Sequence, residues 1–193
     1  SELSTQMKDT ERLVVDNIAP TATITYNDPV QNTNNISYYD KDVNASIQIT
    51  EANFYSEDVV VTVTKNGASY PVNVSWTDNS VDVHTGTFVL SEDGDYTVAV
   101  SYTDRSTNKM NDYQSNQITV DTKEPVITVE NVKNESANNE DTISIGISVV
   151  DKNIALDEFK PSLRVVKRVL TDSGKYEYQS SDVALGSAIT SQN

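Results

Sequence analysis

The chain has 193 residues, no cysteine, and 29 acidic against 14 basic residues, a formal charge of −15. Such a surface repels phosphate backbones and anionic lipid, so nucleic-acid binding is excluded, and without thiols there are no disulfides or cysteine zinc sites. No run reaches the ~20 apolar residues of a membrane helix, so membrane insertion is not expected; no signal peptide opens the sequence. Thr, Val, Ser, Asn, Asp and Tyr dominate, residues that fit half-buried strands and the turns between them.

Residues 1–15 read as the last strand of an upstream module or as a capping strand, because Asp9-Thr-Glu-Arg-Leu-Val-Val-Asp16 resembles Tyr113-Gln-Ser-Asn-Gln-Ile-Thr-Val-Asp121. The segment Val15-Asp-Asn-Ile-Ala-Pro20 then returns, 105 positions on, as Val120-Asp-Thr-Lys-Glu-Pro125. Both copies lead into alternating runs, Thr21–Tyr26 and Val126–Glu130. A period that long is a whole small domain, not a solenoid unit. The repeat continues from Ile47–Phe54 to Ile147–Ile154, with the length difference confined to Asn27–Asn35 and Asn131–Asp141, which read as loops.

The first module is expected over 16–120, with strands near 21–26, 43–50, 58–65, 70–76, 84–90, 95–103 and 115–120. Val43, Ala45, Ile47 and Ile49 alternate with polar residues, and so do Tyr96, Val98, Val100 and Tyr102. A period of two marks a strand with one buried face. Turn signals at Lys65-Asn-Gly67, Asp78-Asn-Ser80 and Glu92-Asp-Gly-Asp95 separate the runs. Seven short strands spaced in this way describe a two-sheet sandwich. The second module, 121–193, offers strands near 126–130, 142–150, 162–170 and 176–180, and by alignment lacks its last two. Unpaired backbone edges would then invite a neighbour.

The stretch Glu92-Asp-Gly94-Asp-Tyr96-Thr-Val98 is similar to the Asp-x-Gly-x-Tyr-x-Cys pattern of immunoglobulin-type domains, with Glu92 for Asp and Val98 for Cys. With Tyr102-Thr-Asp104-Arg-Ser-Thr-Asn108 and Thr119-Val-Asp121-Thr-Lys-Glu-Pro125, it resembles the tandem bacterial Ig-like repeats of surface proteins, over about residues 9–160. The resemblance implies an all-β chain of immunoglobulin-like sandwiches, the second incomplete, in an extracellular or secreted bacterial parent. It implies a stalk, spacer or adhesive tip. It also implies that the Tyr96 hydroxyl bonds backbone upstream. Thr107 stands where the repeats carry Gly, which puts the turn there in question.

Candidate chemistry is sparse. His84 is the only histidine, on a strand start with no Gly-x-Ser-x-Gly elbow, and reads as a surface or strand histidine. The carboxylates fall mainly in turns, where solvated caps are the ordinary role. No cofactor is expected. One sharper alternative is calcium, which wants six to eight oxygens: Asp104, Asp121 and Asp151 could meet at the joint between modules. Asp16 matches Asp121 in the repeat, and Glu51 matches Asp151. Tyr38-Tyr39 is the best candidate for sugar stacking, against the plainer reading of half-buried strand tyrosines. Trp76 is expected at a sheet edge and Phe54 as a core plug. Asn-x-Ser sequons at Asn35, Asn44, Asn73 and Asn134 arise readily by chance in such a composition. The lysines lie mostly beside turns, which argues against an isopeptide link to a core Asn. The expectation is a non-catalytic spacer partnered by neighbouring modules, or alternatively an adhesin module that binds glycan or host protein through its end loops.

Overall fold

The computed structural model describes residues 15–131, 144–154 and 162–183. Among these residues the only helical element is a single 3-10 turn, Ser56–Asp58. The chain divides into two compact units between Glu124 and Pro125.

The first unit is an immunoglobulin-like β-sandwich. One sheet has the order β1 (Thr21–Tyr26), β4 (Val43–Thr50), β8 (Val83–Leu90), β7 (Ser75–Asp78), all antiparallel. The other runs β2 (Gln31–Thr33), β3 (Ile36–Tyr39), β11 (Gln117–Val120), β9 (Gly94–Tyr102), β5 (Val59–Lys65), β6 (Ala68–Ser69), with β10 (Tyr113–Gln114) also on β9. Read in chain order, these are the A-B-E-D and G-F-C sheets of an immunoglobulin domain. After β1 the chain passes to the second sheet, where β3 pairs in parallel with β11.

The aliphatic stripes meet between the sheets. Val43, Ala45, Ile47 and Ile49 of β4 face Tyr96, Val98, Val100 and Tyr102 of β9, and all eight are buried. Each such side chain contributes ~1.5–3 kcal/mol before the entropy of ordering it. The Tyr96 hydroxyl donates to the Glu92 carbonyl at 2.7 Å, pinning the turn into β9 as the resemblance implies.

Two local expectations change. The run 70–76 is not one strand: strand structure stops at Ser69 and resumes at Ser75. Pro71 has no N–H for a ladder and interrupts the pairing, yet Tyr70, Val72, Val74 and Trp76 still pack on the core. The stretch 27–35 is not all loop: β2 and β3 form a hairpin over Asn34-Asn35, whose φ values are 52° and 60°. Two residues at positive φ define the turn type that matches strand twist, and Asn tolerates that conformation.

In the second unit β12 (Val126–Glu130) pairs with β13 (Gly146–Val150), and β14 (Leu163–Leu170) with β15 (Tyr176–Val183). These strands correspond to the expected ones, with β15 three residues longer. Most of residues 1–15, Asn134, the first residues of the expected 142–150 strand and the segment after Val183 lie outside the described residues.

Candidate functional site

The carboxylates of Asp16, Glu51 and Asp104 converge, with their closest oxygens all within 4.8 Å of one another. Three elements deliver them. Asp16 stands before β1, Glu51 directly follows β4, and Asp104 follows β9. Glu51 and Asp104 are buried, only 5% and 4% exposed.

A shell of amide donors holds the cluster. Asp16 Oδ1 accepts from the Ile18 N–H at 3.1 Å and Oδ2 from Asn53 Nδ2 at 2.8 Å. Glu51 Oε1 accepts from the Asn53 N–H at 2.7 Å. Asp104 accepts from the Asn108 N–H and from Asn108 Nδ2, both at 2.8 Å. Asn108 Nδ2 also reaches the Asp16 carbonyl at 3.2 Å, so one side chain bridges the segment before β1 and the loop after β9.

The charges are unequal. The backbone hydrogen bond from Ile18 and the side chain of Asn53 hold the Asp16 carboxyl below the usual range. Burial raises Glu51, and the neighbouring Asp16 and Asp104 raise it further. The group can therefore do one of two things. Fully ionised, it offers carboxylate oxygens of the kind a hard cation takes. Without a cation, a proton on Glu51 relieves the repulsion.

The expected joint set of Asp104, Asp121 and Asp151 is not one site. Asp104 follows the Tyr102 end of β9, whereas Asp121 follows Val120, which pairs with Gly94 at the other end. The nine residues of β9 hold those ends about 26 Å apart at 3.3 Å per residue. The internal repeat carried the better signal, since it equated Asp16 with Asp121 and Glu51 with Asp151. The local turns repeat as well: Asp121 Oδ1 accepts from the Lys123 N–H at 3.2 Å, and Asp151 Oδ1 from the Asn153 N–H at 2.7 Å.

The other candidates resolve plainly. His84 is buried in β8, not on the surface. Its Nδ1 lies 2.7 Å from Asp78 Oδ1, and its Nε2 lies 2.9 Å from the Glu51 carbonyl. A catalytic base needs a nucleophile at that second nitrogen. Here a backbone carbonyl takes the place, and the ring instead stacks on Phe54 with centroids 4.2 Å apart. Phe54 also meets Trp76 and Tyr102, so it plugs the core edge as expected. Trp76 lies on the edge strand β7.

Tyr39 is a core residue whose hydroxyl donates to the Asn27 carbonyl, which removes Tyr38-Tyr39 as a stacking patch. Lys65 is engaged by Glu92 and lies beside the Tyr70 and Tyr96 rings. A shallow depression of about 290 Å³ on the outer face of the second sheet is lined by Val60, Thr62, Ala99, Ser101 and Asp112. Its one carboxylate, Asp112, is paired with Lys109.

No protein-family model and no curated protein matches the sequence. Among solved structures the chain is similar to a crystal structure of the Lin-41 filamin domain, at 14% identity and a TM-score of 0.32, over 53% of this chain and 93% of that one. The assignment to the immunoglobulin-like sandwich rests on strand order and on the tyrosine at the β9 turn.

Proposed function

We propose that the chain is a non-catalytic, extracellular piece of a bacterial surface protein, in which Ig-like modules follow one another as a stalk. One observation carries this reading. The first module takes the chain in at Asp16 and lets it out at Asp121, at opposite ends of β9, as a stalk of serial modules requires. Its closing strand β11 lies parallel to β3, a pairing in which tension along the chain loads all the ladder bonds together. The recurrence of Val-Asp-x-x-x-Pro at both joints supports a serial array, with neighbouring modules as the partners.

The exit joint is held to its own module. The Asp121 N–H donates to the Tyr39 carbonyl at 2.9 Å. Asp93 Oδ1 accepts from the Thr122 N–H at 3.0 Å and from its hydroxyl at 2.9 Å. The Thr122 N–H holds the Asp93 carboxyl below the usual carboxylate range. Beyond it, Pro125 fixes its own φ and restricts Glu124 to extended geometry.

Nitrogen-15 relaxation on the full chain tests this. The Thr122 and Lys123 amides should be as rigid as strand residues, and Asp93→Ala should loosen them while leaving the β9 amides unchanged. Linker amides as mobile in the parent as in a free peptide would refute the spacer reading. The second reading, an adhesin module, is favoured by one specific feature, an Arg–Tyr face on the second unit.

A further inference from the structure

Direct partners across an antiparallel ladder share a face. In the β14–β15 pair, Arg168 stands opposite Tyr178 and Leu170 opposite Tyr176, with Arg164 and Val166 further along the same side. Tyr178 is 76% exposed and Tyr176 60%. The Arg168 guanidinium carbon sits 4.4 Å from the Tyr176 ring centroid. Arg164 Nη2 donates to Ser180 Oγ at 2.8 Å, which orients the second guanidinium on the strand.

The opposite side of β14, by contrast, carries Leu163, Val165 and Val169, all partly covered, with an exposed Lys167 among them. The Arg–Tyr side therefore faces water. Outward positions on the first unit are chiefly Thr and Ser, as in Thr62 and Thr64 of β5 or Thr97 and Ser101 of β9. Exposed tyrosine, arginine and aliphatic groups together are the composition of binding surfaces, not of idle sheet faces.

Charge marks the same place. On this side Arg164 and Arg168 stand against one acidic group, Asp182 opposite Arg164, in a chain with 14 basic against 29 acidic residues. An anionic ligand is repelled by the rest of the surface and admitted here.

We propose that this face docks a carboxylate-bearing glycan. The guanidinium fork matches a carboxylate with two parallel N–H donors. The exposed tyrosine rings offer flat apolar faces to the C–H side of a pyranose, with hydroxyl tips left for its polar groups. An acidic polypeptide shares the charge but gives the rings nothing to stack. The proposal goes beyond the spacer reading and stands apart from it, because that reading is tested in the 121–124 linker.

The test is a titration of the nitrogen-15-labelled full chain with trigalacturonate, with its neutral methyl ester, and with a poly-glutamate peptide. Trigalacturonate should shift amides within 164–182 and leave the first unit unmoved. The ester should bind about tenfold weaker, since it lacks the charge-assisted bond. Arg168→Gln and Tyr178→Ser should each weaken binding about tenfold with unchanged circular dichroism and melting, as both side chains lie on the solvent side. Absence of shifts at millimolar trigalacturonate overturns the proposal, as does equal binding of the ester. Equal binding of poly-glutamate, or self-association mapped to these amides, assigns the face to acidic polypeptide and overturns it too.

Discussion

The loop after β9 contains a β-branched residue in a left-handed conformation, and replacing it should stabilise the protein. Thr107 has φ +72°. Its N–H donates to the Asp104 carbonyl at 3.1 Å, and the Asp104 N–H donates to the Asn108 carbonyl at 3.0 Å. The β14–β15 loop has the same bonding: the Gly174 N–H reaches the Thr171 carbonyl, the Thr171 N–H reaches the Lys175 carbonyl, and Gly174 has φ +75°. One chain thus builds one turn twice, once with glycine and once with threonine. This is the three-residue turn closed by a left-handed residue, where glycine is the unstrained choice.

A non-glycine residue in this region costs roughly 1–3 kcal/mol, and Thr sits toward the upper end because both branches of its Cβ crowd the backbone. Thr107 is exposed, so no burial offsets the strain. Glycine returns about 0.5–1 kcal/mol through the greater entropy of its unfolded chain. The net expectation for Thr107→Gly is a gain of about 1 kcal/mol, or roughly 4–8 °C in Tm for a domain of this size. Thermal unfolding followed by circular dichroism reads this, and Thr107→Ala should fall between parent and glycine variant. A glycine variant that melts at or below the parent would refute the reasoning. It would mean that the Thr107 hydroxyl, or stiffness of the loop that sets Asn108 against Asp16 and Asp104, is worth more than the strain.

Three further outcomes follow from the packing and the carboxylate cluster. Glu51→Gln should raise stability in chelator-treated buffer at pH 7. The folded-state pKa of Glu51 lies above the ordinary 4.5, so ionisation opposes folding: the parent gains stability as pH falls through the folded value toward 4.5, and the variant loses that slope. A parent that is equally stable from pH 4.5 to 7 would contradict this, and millimolar calcium that raises the parent's Tm but not the variant's would show the three carboxylates acting as ligands. Gly86→Ala should cost ~1–3 kcal/mol, because a methyl group there would meet the Trp76 ring at 2.9 Å and Val74 Cγ1 at 2.8 Å; the single tryptophan reports the displacement by fluorescence. Tyr96→Phe should cost about 0.5–1.5 kcal/mol through loss of the hydrogen bond to Glu92 in a well-packed corner, read as a lowered urea midpoint with an unchanged slope.

The fold was legible where one physical cause acts along a run of residues. β1 and β4 have the bounds their alternation predicts, because a one-residue slip would turn Val43, Ala45, Ile47 and Ile49 out to water. Legibility failed where two causes compete in a short span. Tyr70, Val72, Val74 and Trp76 keep a strand's inward alternation while Pro71 denies it the ladder, so pattern and pairing separate. Asn34-Asn35 looks like polar loop until the turn it makes is weighed against the short strands it joins. The carboxylate cluster was half visible. Composition could not pair Glu51 with Asp104, since that depends on which end of β9 faces the close of β4, a property of strand order. The repeat did constrain it: Asp16 and Glu51 each have a counterpart a module later, Asp121 and Asp151, in turns that bond the amide two residues on. A caps-only role would ask merely for an oxygen at each turn. The short Asp at 151 in place of Glu51 satisfies that demand equally well, so the extra methylene of Glu51 is needed only for its carboxylate to reach Asp16 and Asp104. Glu51→Asp separates the two roles, because it should keep the turn to Asn53 while withdrawing the charge from the cluster. Its stability should then move toward that of Glu51→Gln at pH 7, and a loss of stability instead would mean that the carboxylate contact itself holds the corner together.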